Sequence, residues 1–257
     1  MGFALEHAPD SAGGSVHWHV VRPSAIFLRL MRIHDISQPL GAETATWPGD
    51  RRVDLEWTLG MDRGDSVNVA SLATSVHAGT HADGFRHVTR DGETAARMPL
   101  AAYIGRCLVV DVTGVREISI DDVAGVDLGS VERILFRTRA AVDETEFPAA
   151  FAHIAPQLAR QIAAAGVRLV GTDAPSVDPV ASKSLDAHHA FVRGRVAILE
   201  NVVLVDVEPG EYTLVALPLR LVEADSSPVR AVLIEGDILP RGGPGPDAAG
   251  GGRGHAG

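Results

Sequence analysis

The sequence predicts a mixed α/β domain with a sheet-rich core. Two observations carry this. Short apolar runs of strand type outnumber segments with helical spacing, and only some of the connections between them carry a helix. Hydrophobic residues make up 46% of the 257 positions, with a mean hydropathy of +0.11, enough for a sizeable core.

Taken in order, Arg32 to Ser37 reads as a strand that stops at Pro39. Trp47-Pro48-Gly49-Asp50 is a turn signature, because Pro fixes φ and Gly permits positive φ. Val53, Leu55, Trp57 and Leu59 alternate with polar residues, the pattern of a half-buried strand, and place Trp57 in the core. Ser66 to Val76 suggests another strand. Cys107 to Val112 and Arg133 to Arg137 are apolar runs of buried-strand type. Ile154, Leu158, Ile162 and Ala165 have helical spacing, and Gly166 sits where a C-terminal glycine cap belongs. Val167 to Thr172 returns as a strand, and Leu185 to Phe191 reads as helix. Val196 to Leu199, Tyr212 to Leu217 and Ala231 to Glu235 complete the strands. Asp173 and Asp178 read as turn and capping residues.

The two ends differ from this body. Residues 1–31 hold a Gly/Ser patch and an apolar segment without the order of a secretory signal, and read as a poorly ordered extension. Met31, one residue before the first strand, is an alternative start. Residues 241–257 contain eight glycines and two prolines and read as a disordered tail. The expected single domain spans 32–240.

Charge and cysteine content exclude several classes. Lys plus Arg number 23 and Asp plus Glu 33, a net charge of −10 that argues against nucleic acid as a partner. No apolar run reaches the roughly 18 residues that span a membrane. A lone cysteine, Cys107, forms no intrachain disulfide, and the expectation is a cytoplasmic protein acting on a small molecule. The chain has no Gly-x-Ser-x-Gly nucleophile motif, and its Gly-rich stretch at 242–245 follows no strand.

The chemistry concentrates in His77-Ala-Gly79-Thr80-His81-Ala-Asp83-Gly84-Phe85-Arg86-His87, where three of eleven histidines fall within eleven residues. Imidazole and carboxylate are the usual ligands of catalytic divalent metals. Gly79 and Gly84 supply backbone freedom for a turn that brings His77, His81 and Asp83 together. Asp83 has two oxygens, enough to bridge two ions. His87 can face the same cavity as a proton shuttle. Each histidine alone would more simply be a hydrogen-bonding residue at a strand end; the cluster favours metal. Glu200 in the apolar run Val196-Ala-Ile-Leu-Glu200 is also unusual, since a buried carboxylate is costly unless paired or metal-bound.

This cluster resembles the His-x-Gly-Thr-His-x-Asp-x-Pro-x-His signature of the metal-dependent cyclase-like amidohydrolases, whose best-known branch is bacterial kynurenine formamidase. The resemblance extends to Asp35-Ile-Ser with Trp47-Pro-Gly-Asp50, to Gly171 through Pro179, to Ser182 through His189, to Ile198-Leu-Glu200-Asn, to Ala216 through Arg220 and to Ala224 through Val232. It implies the swivelling β/β/α fold type. It implies one metal on His77, His81 and Asp83, and a second on Asp83, His188 and Glu200, with zinc first and manganese as the alternative. His188, twelve residues before Glu200, is the ligand and His189 a structural neighbour. His87 matches the catalytic histidine and Trp47 a substrate-contacting aromatic. The implied reaction is hydrolysis of N-formyl-L-kynurenine in tryptophan degradation, by a homodimer. One departure stands out: Phe85 replaces the signature proline, which leaves an aromatic free to line the pocket and alter substrate preference. The alternatives are a sister hydrolase of another amide, lactam or cyclic imide such as isatin, or a non-catalytic metal-binding or small-molecule-binding protein.

Overall fold

A computed structural model describes residues 32–236, together with the backbone of two short strands, β1 (Leu5–Glu6) and β2 (His19–Val20), which pair antiparallel with each other. The expectations for residues 1–31 and 241–257 otherwise lie outside the described residues.

Within 32–236 the strands are β3 (Ile33–Asp35), β4 (Asp54–Leu59), β5 (Val69–Ala73), β6 (His81–Asp83), β7 (Ile104–Asp111), β8 (Glu117–Ile118), β9 (Arg133–Arg137), β10 (His153–Ile154), β11 (Leu169–Thr172), β12 (Ala197–Glu200), β13 (Gly210–Val215), β14 (Ser226–Pro228) and β15 (Val232–Glu235). Two helices, α1 (Pro156–Ala164) and α2 (Asp186–Gly194), join them. Nine strands form one mixed sheet in the order β14-β6-β12-β11-β9-β7-β13-β15-β3. The central four, β12, β11, β9 and β7, run parallel to their neighbours within the group. The flanking pairs are antiparallel.

Side chains alternate across a pleated strand, so each central strand feeds two cores. Cys107, Val109, Leu135, Leu169 and Leu199 point to one side, with Tyr103, Met98 and Leu214. Ile134, Phe136, Val170 and Ile198 point to the other, where α1 and α2 cover them with Leu158, Ile162 and Phe191. The predicted helix over Ile154 to Ala165 starts two residues later, with Pro156 in its first turn, and Gly166 follows it at φ +83°.

Two expectations change. Strand β4 alternates in sequence, yet all six of its residues are exposed. Among the described residues it pairs only with β5, in a two-stranded hairpin that no second layer covers. Trp57 is therefore 54% exposed and not a core residue. The other change concerns the two signature glycines. Gly79 does use positive φ, at +62°, but Gly84 sits at an ordinary φ of −80°. What Gly84 provides is room: a Cβ there would lie 2.8 Å from the Glu93 carbonyl oxygen and 3.0 Å from that of Asp225. Those neighbours are backbone and cannot swing away. Gly84→Ala is expected to cost ~1–3 kcal/mol through overpacking, read as a lowered thermal midpoint; an unchanged midpoint would contradict the close approach.

Candidate metal centre

The site lies at one end of the sheet, where β6 runs antiparallel to β12 and His81 pairs in register with Glu200. Ala82 and Leu199 join the core on one face. The pleat therefore turns His81, Asp83 and Glu200 to the opposite face, the one that carries α2. Helix α2 brings His188, and the turn after β5 brings His77. Two non-glycine residues beside the site adopt left-handed backbone, Leu185 at the start of α2 (φ +47°) and Asn201 directly after Glu200 (φ +56°). Such conformations cost about 1 kcal/mol or more and persist where the surroundings over-determine them.

Three imidazoles converge on Asp83. His77 Nδ1 lies 3.3 Å and His81 Nε2 3.7 Å from Asp83 Oδ1, while His188 Nε2 lies 3.5 Å from Oδ2. Each ring is held by its other nitrogen. His81 Nδ1 donates to the Gly79 carbonyl at 2.9 Å, His188 Nδ1 to Asp178 at 2.6 Å, and His77 Nε2 to Asp225 at 2.9 Å. Glu200 Oε2 lies 3.3 Å from His81 Nε2 and Oε1 3.5 Å from His188 Nε2, and the Val177 amide donates to Oε1. Holding one ring nitrogen with a carboxylate or carbonyl and freeing the other is how proteins orient metal-binding histidines.

The donor set fits a divalent metal. Both oxygens of Asp83 and Nε2 of His188 are buried without a hydrogen-bond partner. Leaving a buried charged group unsatisfied is costly, and a cation between these atoms would satisfy them all. Among the described residues, ligand atoms lie within 4.8 Å of one another in three groups: His77, His81 and Asp83; Asp83, His87 and His188; and His77, His87 and Asp225. Glu200 falls outside these groups, although it reaches both His81 and His188.

Burial alone would lower the His77 and His188 imidazoles, but their hydrogen bonds to carboxylates outweigh it and raise each to about 10. Burial alone would raise Asp83; the imidazoles of His188 and His77 close beside it hold it well below the usual carboxylate range. Bonds from His77 and His87 lower Asp225 likewise.

A cavity of about 420 Å³ opens over this centre. His77, His81, His87, His188 and Glu200 line it, and so does Trp47. The Trp47 ring meets Phe147 edge-on at 5.0 Å and Phe151 at 6.4 Å. Phe85 is absent from the lining. It is 3% exposed, packs within the core and carries the Arg195 guanidinium 5.3 Å from its ring centre. The expectation that Phe85 lines the pocket is thus corrected: the residue after Gly84 turns into the sheet's other core. His189 is half-buried and also lies outside the cavity. Asp173 caps backbone as expected, accepting from the amides of Thr138 and Arg139. Asp178 does more than cap. It accepts from the amides of Ala187 and His188 and also from the His188 ring. Asp225, Phe147 and Phe151 had no sequence signal of their own.

A metal held by His77 and His188 would displace the protons on them. A group raised from 6.5 to about 10 stabilises the metal-free fold fully below about pH 6.5, and this contribution is lost as pH rises through about 10. Metal affinity should accordingly climb with pH over that window. Zinc added to chelated protein at pH 7 is expected to release about two protons per chain. Calorimetry in buffers of different ionisation enthalpy reads this number, and zero release would contradict it.

Comparison with known proteins accords with this geometry. The Cyclase family model matches residues 34–179. The kynurenine formamidase of Sphingopyxis alaskensis is 44% identical over 207 residues, covering 80% of this chain and 99% of that one. That of Salinibacter ruber is 44% identical over 206 residues, covering 79% and 97%. Among solved structures, a potential metal-dependent hydrolase with cyclase activity superposes with a TM-score of 0.71 at 28% identity, covering 80% of this chain and 99% of that one. Isatin hydrolase A of Labrenzia aggregata shares the fold, with a TM-score of 0.69 at 21% identity over 79% and 93% of the two chains. On the family model and on relatives matched over nearly their whole length, the chain belongs to the Cyclase family, within its kynurenine formamidase branch.

Proposed function

We propose that this protein hydrolyses N-formyl-L-kynurenine to L-kynurenine and formate, an amide hydrolysis in tryptophan degradation. The observation that carries the reading is the set of full-length relatives named kynurenine formamidase, joined to a donor cluster at the floor of an aromatic-walled cavity. The assigned ligands are His77, His81 and Asp83 for one divalent metal and Asp83, His188 and Glu200 for a second, zinc before manganese. When bound, such metals lower the pKa of water toward neutrality and polarise a carbonyl.

The chain's own groups do the rest. Trp47, with Phe147 and Phe151 behind it, offers a wall for the substrate's aryl ring. Carboxylates of Asp50, Asp143, Glu144 and Glu146 line the same cavity and suit an α-ammonium group. His87 borders the cavity, its ring centre 5.6 Å from that of His188. At its nitrogen away from Asp225 it takes a proton from the attacking water and returns it to the departing aniline nitrogen. The isatin-type alternative drew on Phe85 in place of the signature proline; with Phe85 in the core, what it retains is the missing constraint on the loop that aims His87.

Dimerisation is part of the reading. The uncovered β4–β5 hairpin presents Leu55, Trp57, Leu59 and Leu72, each at least 40% exposed, a surface suited to a second copy. Light scattering should give a dimer that Trp57→Asp weakens; a wild-type monomer would contradict this. Its place is assigned to the cytoplasm, in keeping with the single buried Cys107.

Turnover is followed by kynurenine absorbance, with isatin as the competing substrate; faster turnover of isatin would overturn the substrate assignment. His87→Ala should keep its metal and lose roughly 10²–10⁴-fold in kcat. Loss of metal as well would mean that His87 is a ligand. Glu200→Gln should lower metal content by about one ion per chain, and an unchanged content would remove Glu200 from the site.

A further inference from the structure

We propose that Asp225 is a positioning residue: one of its carboxylate oxygens aims both a metal-binding imidazole and the proton-transferring imidazole. The inference rests on the roles just assigned to His77 and His87. Oδ2 of Asp225 receives His77 Nε2 at 2.9 Å and His87 Nδ1 at 3.2 Å. A carboxylate oxygen can accept two such bonds. An ionised carboxylate only accepts, so each neutral ring must carry its hydrogen on the nitrogen facing Asp225. This leaves the lone pair of His77 on Nδ1, the atom 3.3 Å from Asp83. It leaves that of His87 on Nε2. The two rings lie side by side, centres 4.4 Å apart, and a single oxygen thus selects both tautomers.

The backbone holds Asp225 against the ligand strand. Its carbonyl accepts from the Gly84 amide at 2.7 Å, and the Ala224 carbonyl accepts from the Ala95 amide at 2.9 Å. Ser226, the next residue, pairs in register with Asp83. A Cβ at Gly84 would press on the carbonyls of Glu93 and Asp225. The strand that carries Asp83 and the residue that orients its partners are therefore tied directly together. A rival role is visible in the same atoms, since His77, His87 and Asp225 are close enough together to hold an ion themselves.

The test compares wild type and Asp225→Ala, both loaded with zinc. Long-range ¹⁵N–¹H spectra of the imidazoles need no substrate, so they judge the positioning role even if N-formyl-L-kynurenine is not turned over. Wild type is expected to show His87 protonated at Nδ1, and Asp225→Ala to shift it toward Nε2. Zinc stoichiometry should stay the same while affinity falls roughly 10–100-fold. With N-formyl-L-kynurenine, kcat should fall by a similar factor at near-constant KM, and Asp225→Ala should add no further loss in a His87→Ala background. Loss of an ion outright would make Asp225 a ligand. Unchanged tautomers, or losses that add across the double mutant, would overturn the proposal. Should Asp225→Ala fail to fold, Asp225→Asn carries the test, because its oxygen still accepts but without charge. A partial tautomer shift is then expected, and wild-type spectra with wild-type kcat would refute the role.

Discussion

The site is organised around one buried carboxylate with nothing to bond to. Both oxygens of Asp83 lie out of solvent and unpartnered, and imidazole nitrogens close on each of them. Such an arrangement is unfavourable by itself, because desolvating a charge costs several kcal/mol unless it is compensated. A metal between these atoms reverses the sign of the problem, since the same donors become a coordination shell. The carboxylates around them, Asp225 and Asp178 first and Asp83 next, push the His77 and His188 imidazoles up to about 10.

The sheet exists in the form that serves this point. Antiparallel pairing of β6 with β12 sets His81 opposite Glu200, and the pleat sends both with Asp83 to the helix-bearing face. Helix α2 then delivers His188 on a backbone whose first amides are held by Asp178. Every donor thus sits on a regular element or a tight turn. Asp225, the Gly79 carbonyl and Asp178 each hold one ring nitrogen, of His77, His81 and His188 in turn, and leave the other facing Asp83. Such bonds fix the orientation and tautomer of each ring, as they do for histidines that bind metals.

Much of this was legible in the sequence, for definite reasons. His77, His81 and Asp83 were readable because their spacing is local. The strands β7, β9, β11 and β12 were readable because buried strands are short apolar runs. Glu200 stood out as an acid among aliphatic residues. The parts that could not be read depend on long-range pairing. Strands β6 and β14 contain His-Ala-Asp and Ser-Ser-Pro, sequences with no strand signal, and exist because neighbours pair with them. Asp225 meets His77 across 148 positions, a contact that no local pattern announces. Alternation points Trp57 inward because it reports a strand but not whether a layer covers it. Phe85, two residues after Asp83, still turns to the opposite core.

The most direct test of the central claim is anomalous diffraction from zinc-loaded crystals, recorded on both sides of the zinc edge. The account predicts two zinc peaks bonded to Asp83, one on the side of His77 and His81 and one on the side of His188 and Glu200. Full zinc loading with no anomalous peak within bonding distance of Asp83 would contradict it.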